Sequence, residues 1–254
     1  MSDAVLTEAA DGVTVVTVNR PAARNAVDRA VAEGIATAME ELDARDDLVV
    51  GVITGAGGTF SAGMDLKAFL AGELPMVEGR GFAGLTDAPP RKPLIAAVEG
   101  HVLAGGFEMV LACDLVVASE DARFGLPEVR RGLVAAGGGL LRLPQRLPYQ
   151  IAMELALTGE FLDATRAHGY GLVNRLTAPG GALAGALELA RGIAANGPLA
   201  VRTSKEIIVR SGAWPADEVM KHQERLVAPV FASEDAREGA RAFTEKRAPR
   251  WKGR

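Results

Sequence analysis

The sequence contains one cysteine, Cys113, among 254 residues. A chain with one thiol forms no intramolecular disulfide, which excludes a disulfide-stapled fold. The apolar neighbours of Cys113 indicate a small buried side chain, which suits a reducing compartment. The first residues show no basic segment, and no apolar run approaches the roughly 18 residues that cross a membrane. We therefore expect a soluble, cytoplasmic protein without a membrane partner.

The sequence also lacks an excess of positive charge and a cluster of metal ligands. Its 28 lysines and arginines are outnumbered by 32 aspartates and glutamates, which gives a formal charge of −4. This balance argues against nucleic acid as a partner. The three histidines, His101, His168 and His222, have no spacing typical of a metal site, so no metal is expected.

Familiar nucleotide-binding and hydrolase motifs are incomplete. The glycine-rich run at residues 55–60 lacks the last glycine of a dinucleotide fingerprint, and no P-loop lysine follows a matching glycine run. Residues 59–63 lack the first glycine of a nucleophile elbow. A dinucleotide-binding site, a P-loop and a nucleophile-elbow hydrolase site are therefore excluded.

Glycine, in contrast, is abundant, and two glycine-rich turns follow predicted strands. The 30 glycines are about 12% of the chain, against a usual ~7%. Residues 55–66 lead into a short helix, and residues 100–108 pass from a strand into an apolar helix. Bare amides at such turns can approach a ligand, and amides at a helix start attract negative charge.

Strand and helix patterns alternate along most of the chain, and helical patterns alone occupy its end. Strands are predicted at residues 13–18, 49–54, 94–98, 114–118 and 172–176. Helices are predicted after the N-cap candidates Asp28 and Asp163, over an apolar segment with breaks at Pro144 and Pro148, and at 182–195, 198–209, 216–231 and 233–243. Residues 72–93 show no period and could form a mobile segment over a site. We predict an α/β core over residues 1–195 and a helical region over 196–254.

Two carboxylates lie close to the predicted turns. Glu108 sits one turn into the apolar helix, and Glu128 follows Pro127. Alone, Glu108 fits a first-turn acid favoured by the helix dipole, and Glu128 fits a solvated loop residue. Together with two amide sites they suggest more: amides aimed at one oxygen stabilise an enolate-like oxyanion, and paired carboxylates can hold one proton and one water.

Several short motifs occur in order along almost the whole chain. They are Asn-Arg-Pro at 19–21, Arg-Asn-Ala at 24–26, Ile-Thr-Gly at 53–55, Phe-Ser-Ala-Gly-Met-Asp-Leu at 60–66, Lys-Pro-Leu-Ile-Ala-Ala-Val-Glu-Gly at 92–100, Gly-Gly-Phe-Glu at 105–108, Cys-Asp at 113–114, Phe-Gly-Leu-Pro-Glu at 124–128 and Gly-Gly at 138–139. This ordered set resembles the enoyl-CoA hydratase/isomerase (crotonase) family. It is highly specific for the family and moderately specific for the reaction.

The resemblance implies a spiral of ββα units followed by a C-terminal helical trimerisation region. Two such homotrimers commonly stack as a hexamer. It also implies a coenzyme A thioester as substrate, with coenzyme A as part of that substrate and no metal or redox cofactor.

The resemblance further assigns roles to particular positions. The backbone N–H groups of Met64 and Gly105 would form the oxyanion hole for the thioester carbonyl. Residues expected along the coenzyme A moiety are Arg24, Ala26, Ala62, Asp65 and Leu66, together with Phe243 and Lys246 of the C-terminal helix, sometimes across a subunit boundary.

The two glutamates carry the implied chemistry. The separation of Glu108 and Glu128 matches hydratases that retain both catalytic acids. Glu108 would assist the attack of water on the β-carbon, and Glu128 would protonate the α-carbon. Two close carboxylates in a partly desolvated pocket disfavour double ionisation, so we expect a coupled titration with one raised value.

Departures from the family pattern leave other functions open. Ala104 stands where many hydratases have glycine, Phe107 is larger than usual, and both are expected to alter the acyl pocket. Residues 81–86, 141–144 and 245–254 resemble the carnitinyl-CoA dehydratase (crotonobetainyl-CoA hydratase) branch of the family. We predict an enoyl-CoA hydratase that adds water reversibly and syn to a 2-enoyl-CoA. The alternatives are carnitinyl-CoA dehydratase, an enoyl-CoA isomerase, and a non-catalytic CoA-binding assembly protein.

Overall fold

The structure, a computed structural model, describes residues 4–254. The strands are β1 (Val5–Ala10), β2 (Val13–Val18), β3 (Val50–Gly55), β4 (Met76–Val77), β5 (Gly81–Phe82), β6 (Leu94–Val98), β7 (His101–Leu103), β8 (Leu115–Ser119), β9 (Arg123–Gly125), β10 (Phe161–Asp163) and β11 (Arg175–Thr177). The helices are α1 (Arg29–Ala44), α2 (Leu66–Leu70), α3 (Gly105–Ala112), α4 (Gly139–Arg146), α5 (Tyr149–Thr158), α6 (Ala164–Gly169), α7 (Ala182–Ala194), α8 (Pro198–Ser211), α9 (Val219–Ala232) and α10 (Glu234–Glu245).

The main sheet has six strands in the order β1-β2-β3-β6-β8-β11. Only the β1–β2 pair is antiparallel, and the other neighbours are parallel. Parallel strands are covered on both faces and therefore carry continuous apolar runs, as in β6, where all five residues are buried. The strands predicted at 13–18 and 94–98 have the observed bounds.

A second sheet has three strands in the order β10-β9-β7. The chain passes from the main sheet to this small sheet and on to a helical segment twice. The chain leaves β6 of the main sheet, adds β7 to the small sheet and enters α3. It then leaves β8, adds β9 to the small sheet and continues through a short 3₁₀ helix, Pro127–Arg131, to α4. These two strand-strand-helix passages place the starts of two helical segments side by side.

Helices cover both faces of the main sheet. Asp28 begins α1 by accepting the Val31 N–H at 3.0 Å, which confirms the predicted cap. On the opposite face, α7 presents Ala182, Ala186 and Ala190, which are buried against the valines of the central strands. Alanines four residues apart lie on one side of a helix and allow close packing on the sheet.

Three sequence predictions are corrected by the structure. The apolar segment after residue 137 does break before Pro148, but Pro144 lies inside α4, because a short helix tolerates the loss of one backbone bond. The last strand begins at Arg175 rather than residue 172. Part of the unpatterned 72–93 segment is buried, including Phe82 and Thr86, so this part packs as core and does not form a mobile cover.

The C-terminal helices expose much apolar surface. Neither α8 nor α9 contains a buried residue.

The tail after α10 is fixed, because Trp251 donates its indole N–H to the Ala195 carbonyl at 2.8 Å. The Asp235 carboxylate accepts the backbone N–H groups of Lys252 and Gly253. The division between residues 195 and 196 stays a prediction.

Candidate active site

Helix α3 begins with an amide that has no hydrogen-bond acceptor in the described chain, because the chain turns sharply before it. Ala104 adopts φ 51° and ψ −129°, a strained combination for a residue with a Cβ, and donates its N–H to the Gly125 carbonyl at 2.8 Å. Gly105 follows as the first helical residue. Within residues 4–254 its N–H donates no hydrogen bond, so this amide is free to bind a ligand.

The second glycine-rich turn runs beside the first. The Ser61 N–H donates to the His101 carbonyl at 3.0 Å, and the Leu103 N–H donates back to the Ser61 carbonyl at 3.0 Å. Gly63 then passes so close to α3 that a Cβ on it would lie 2.9 Å from the Gly105 nitrogen. The next residue, Met64, also has an N–H without a hydrogen-bond acceptor in the described chain. Two free amides therefore lie in adjoining turns.

Arg20 organises the surface next to these amides. Its guanidinium forms an ion pair with Asp65 at 3.1 Å and donates to the Ala26 carbonyl at 2.6 Å. Arg24, with φ 53°, accepts the Ala62 N–H at 3.0 Å. The structure thus brings Arg24, Ala26, Ala62 and Asp65 together beside the turn.

Asp65 holds this surface in shape. Its carboxylate caps α2 by accepting the N–H groups of Lys67 and Ala68. Partial burial opposes ionisation, but the Ala68 N–H and the Arg20 guanidinium outweigh it and keep the pKa of Asp65 below its ordinary value. Leu66 follows with an exposed side chain.

Glu108 lies in the first turn of α3 and is only 3% exposed. Its Oε1 accepts the Gly139 N–H at 2.9 Å. A Cβ on Gly137 would lie 2.8 Å from Glu108 Oε2, and one on Gly139 would lie 2.9 Å from Glu108 Cγ, so a side chain at either position would displace Glu108. Burial raises the pKa of Glu108, while the N–H groups of Gly139 and Gly137 and the charge of Arg142 oppose the rise.

Glu128 lies in the first turn of the 3₁₀ helix Pro127–Arg131. Its Oε2 is buried and has no hydrogen-bond partner among residues 4–254. Burial, together with the nearby charge of Glu108, raises the pKa of Glu128 to about 7. With a pKa of about 7, Glu128 retains a large part of its proton near neutral pH.

The small sheet explains why these acids meet. Strands β7 and β9 pair in parallel, with Leu103 opposite Gly125. After Leu103 the chain enters α3, whose first turn carries Glu108. After Gly125 it enters the 3₁₀ helix Pro127–Arg131, whose first turn carries Glu128. Parallel strands end at the same edge of a sheet, so both carboxylates emerge on the same side.

Comparison with known proteins identifies the fold family. A family model described as enoyl-CoA hydratase/isomerase matches residues 8–254. The chain belongs to this enoyl-CoA hydratase/isomerase family. The crystal structure of an enoyl-CoA hydratase from Mycobacterium marinum is 58% identical, covers 100% of both chains and superposes with a TM-score of 0.98. The predicted crotonase-like α/β fold class is thereby confirmed.

Curated relatives of this family carry two different names. An enoyl-CoA hydratase of Mycobacterium tuberculosis is 42% identical over 94% of this chain and 93% of its own. A carnitinyl-CoA dehydratase of Salmonella typhi is 43% identical over 94% of each. Both names describe hydro-lyases, and both functions are among those considered from the sequence.

Two predicted ligand residues lie on α10 and its end. Phe243 is 87% exposed. Lys246 ends the helix at φ 51°, and its side chain forms no hydrogen bond or ion pair with residues 4–254. Their contact with coenzyme A in this family member stays a prediction.

Residues around the acid pair have roles that the sequence motifs do not predict. Gly139 is part of the Gly-Gly motif at 138–139 and Phe82 lies in the segment 72–93, but neither position is predicted to contact the site. A Cβ on Gly105 would overlap the Phe82 ring, so Phe82 packs directly behind the free amide. Phe107, in turn, is fully buried, and its ring packs against Phe124 with centroids 5.4 Å apart. Its size is therefore accommodated in the core.

Among residues 4–254, no three His, Cys, Asp or Glu side chains cluster as metal ligands would. No helix in that range combines the length and hydropathy needed to cross a membrane.

The raised pKa of Glu128 predicts a pH-dependent cost in stability. In the unfolded chain this carboxyl titrates at its ordinary 4.5, and in the fold at about 7. Its contribution is thus fully present below pH 4.5 and is lost as the pH rises through 7. We expect Glu128→Gln to raise the free energy of unfolding at pH 8 by about 2 to 3 kcal/mol, and to leave it nearly unchanged at pH 4.5.

Thermal or urea unfolding at the two pH values measures this difference. Glu120→Gln is the matched control, because Glu120 is exposed and the same change there removes no buried charge. An equal gain at both pH values would contradict the assigned titration.

Proposed function

We propose that the chain is an enoyl-CoA hydratase that adds water reversibly and syn across the α,β double bond of a 2-enoyl-CoA. The observation that carries this proposal is the convergence of two carboxyl groups, the buried Glu108 and the half-buried Glu128 with its buried Oε2, on a site with two free amides. The printed names of the relatives support hydro-lyase chemistry. A hydration needs one base, one acid and stabilisation of the intervening enolate, and this site offers all three.

In the proposed reaction, the N–H groups of Met64 and Gly105 bind the thioester oxygen. The negative charge that develops on this oxygen during attack is stabilised by amides already in place. The ionised Glu108 accepts a proton from water as its oxygen bonds to the β-carbon. The protonated Glu128 delivers its proton to the α-carbon, and the reverse transfers eliminate water.

The environment of each acid matches its proposed role. Glu108 accepts the Gly139 N–H at 2.9 Å, which orients its carboxylate and favours its charged form. Glu128 has a buried, unpartnered Oε2, which leaves an oxygen free to bind water or to hand over a proton. A pKa of about 7 for Glu128 keeps much of it protonated at neutral pH.

A direct test follows the conjugated enoyl-thioester absorbance after addition of crotonyl-CoA. Loss of absorbance with formation of 3-hydroxybutyryl-CoA supports the proposal. Binding of thioesters without turnover on a broad acyl-CoA panel would favour a CoA-binding assembly protein, and double-bond migration would favour an isomerase. The same panel reports acyl-chain preference.

A second candidate, carnitinyl-CoA dehydratase, is favoured by the 43% identity to a protein of that name. It uses the same acid pair on a substrate whose acyl chain ends in a quaternary ammonium. Crotonobetainyl-CoA in the same assay separates the two. A much higher kcat/KM for crotonobetainyl-CoA than for crotonyl-CoA would replace the first assignment.

We further propose a homotrimer, or two stacked trimers, in which Phe243 and Lys246 reach coenzyme A of the same or a neighbouring subunit. The exposed apolar side chains of α8 and α9 support association, and the unpaired ammonium of Lys246 suits a phosphate. Sedimentation of the purified chain tests the oligomer.

Coenzyme A enters as part of the substrate, and the proposed steps require no other cofactor. Full activity after treatment with a chelator would support the absence of a metal requirement. We propose a cytoplasmic location on the basis of the single, buried Cys113.

Lys246→Ala tests the coenzyme A contact. Loss of one charge-assisted hydrogen bond to phosphate should raise KM about tenfold with little change in kcat. Crotonyl-pantetheine, which lacks the nucleotide, is the control substrate. An equal rise in KM for both substrates would remove Lys246 from the nucleotide contact.

A further inference from the structure

Arg142 lies in α4, between two backbone segments that flank the acid pair. Its Nη2 donates to the Thr86 carbonyl at 2.5 Å, and its Nη1 to the Gly137 carbonyl at 3.5 Å. The guanidinium folds back over the start of its own helix, where Gly138 has φ +87° and a Cβ would overlap Nη1. The glycine run before α4 therefore makes room for this side chain.

One of the two segments supports the amide of Gly105. The Thr86 N–H donates to the Phe82 carbonyl at 3.2 Å, closing a turn that is fully buried at Thr86. The ring of Phe82 occupies the space beside the missing Cβ of Gly105. By holding the Thr86 carbonyl, Arg142 fixes the turn that packs behind the free amide.

The other segment holds Glu108. The Gly139 N–H donates to Glu108 Oε1, and a Cβ on Gly137 would touch Glu108 Oε2. The bond from Arg142 to the Gly137 carbonyl anchors this turn. A single guanidinium thus connects the amide half of the site to the acid half.

Charge makes the same arrangement asymmetric. The groups that act on Glu108 are its buried surroundings, the N–H groups of Gly139 and Gly137, and the cation of Arg142. Those that act on Glu128 are its burial, its own backbone, Glu108 and Arg131. Arg142 favours the ionised form of Glu108, and Glu128 keeps an unpartnered oxygen. Burial is the largest influence on both carboxyls and raises the pKa of each, whereas the charge of Arg142 opposes the rise at Glu108.

We propose that Arg142 is a positioning residue that clamps the Thr86 turn to the Gly137–Gly139 turn and places its positive charge on the Glu108 side of the acid pair. Arg142 touches neither reacting atom in this scheme and acts through Glu108. The inference rests on the proposed hydration, because it assigns Glu108 the role of base.

Two substitutions separate the charge of Arg142 from its two-point contact. Arg142→Gln keeps a hydrogen-bond donor and removes the positive charge. Arg142→Lys keeps the charge and removes the planar guanidinium that donates to two carbonyls at once. For Arg142→Gln we expect the acidic limb of the kcat/KM profile to move up by about one pH unit, with kcat at pH 7 reduced roughly 10- to 100-fold. For Arg142→Lys we expect an unmoved limb and a smaller loss of kcat.

Arg146→Gln is the matched control, one turn further along the same helix. Arg146 is exposed and donates only to the Cys113 carbonyl, at 3.4 Å. The control removes the same net charge and should leave both limb and kcat near those of the unsubstituted chain. A limb that stays in place in Arg142→Gln, moves in Arg142→Lys, or moves equally in Arg146→Gln overturns the proposal.

A second readout keeps this inference separate from the hydratase assignment. Infrared titration of the carboxyl groups in substrate-free protein, compared with the same titration of Glu108→Gln, follows Glu108 directly. Its midpoint should rise in Arg142→Gln and not in Arg146→Gln. If the unsubstituted chain hydrates no enoyl-CoA but this midpoint rises, the proposed function fails and the effect of Arg142 on Glu108 stands.

Discussion

Glu108→Gln and Glu128→Gln are each expected to lower kcat for hydration by roughly 10²- to 10⁴-fold. The amide of glutamine at position 108 cannot accept the proton of the attacking water. At position 128 it cannot supply a proton to the α-carbon. Both substitutions preserve side-chain volume, so the fold and the oligomer should survive.

Both variants should still bind the thioester. Each still presents the amides of Met64 and Gly105, so binding should persist with little turnover. The double variant should lose little more than either single one, because the acids act as a unit. Steady-state rates with crotonyl-CoA, together with sedimentation of each variant, provide the measurement. Near-normal hydration by either single variant would remove that residue from the mechanism.

Gly63→Ala is expected to reduce kcat roughly 10²- to 10³-fold, which is the range for loss of one oxyanion donor. The new Cβ would stand 2.7 Å from the Ala104 Cβ and 2.9 Å from the Gly105 nitrogen. The two turns must then separate, and the amides of Met64 and Gly105 no longer converge on one oxygen. Even a displacement of about 1 Å can cost 100-fold.

Gly58→Ala provides the control for this experiment. Gly58 has φ +72° and Gly63 φ +91°, so alanine is strained at both positions. However, a Cβ on Gly58 would meet nothing within 4 Å. We expect both variants to lose stability and only Gly63→Ala to lose turnover. Equal losses of kcat in the two would attribute the effect to backbone strain alone.

Much of the main sheet can be predicted from the sequence because its central strands are buried on both sides. The apolar runs at 13–18 and 94–98 have no competing interpretation, and their bounds agree with the structure. The helix after Asp28 is similarly local, since its cap accepts a bond from Val31. These elements depend on neighbours in the chain.

The short strands escape such prediction because a strand of three residues is too short to show a hydrophobic pattern of its own. Strand β7 has only three residues, and β9 pairs with it across an intervening helix and a main-sheet strand. The meeting of Glu108 and Glu128 depends on that pairing, so the spacing of the acids alone could not show it. The resemblance to a family supplied the pairing of roles instead.

The same reasoning explains what was missed around Glu108. The run of three glycines at residues 137–139 was visible, but its function follows from the carboxylate packed against it. Arg142 likewise has no clear signal in the sequence, because its acceptors are backbone carbonyls and the shorter bond goes to Thr86, which only the fold places nearby. Phe243 and Lys246 need a bound coenzyme A, and in the predicted trimer a second subunit, so their roles stay predictions.

The pairing of β7 with β9 has a consequence for how this site can change. The bonds that hold the two strands in register are all made by backbone atoms, and neither acid side chain takes part in them. Substitution at 108 or 128 therefore leaves the frame intact while the free amides remain. The same scaffold can thus acquire a different reaction through single amino-acid substitutions, and each intermediate variant still folds.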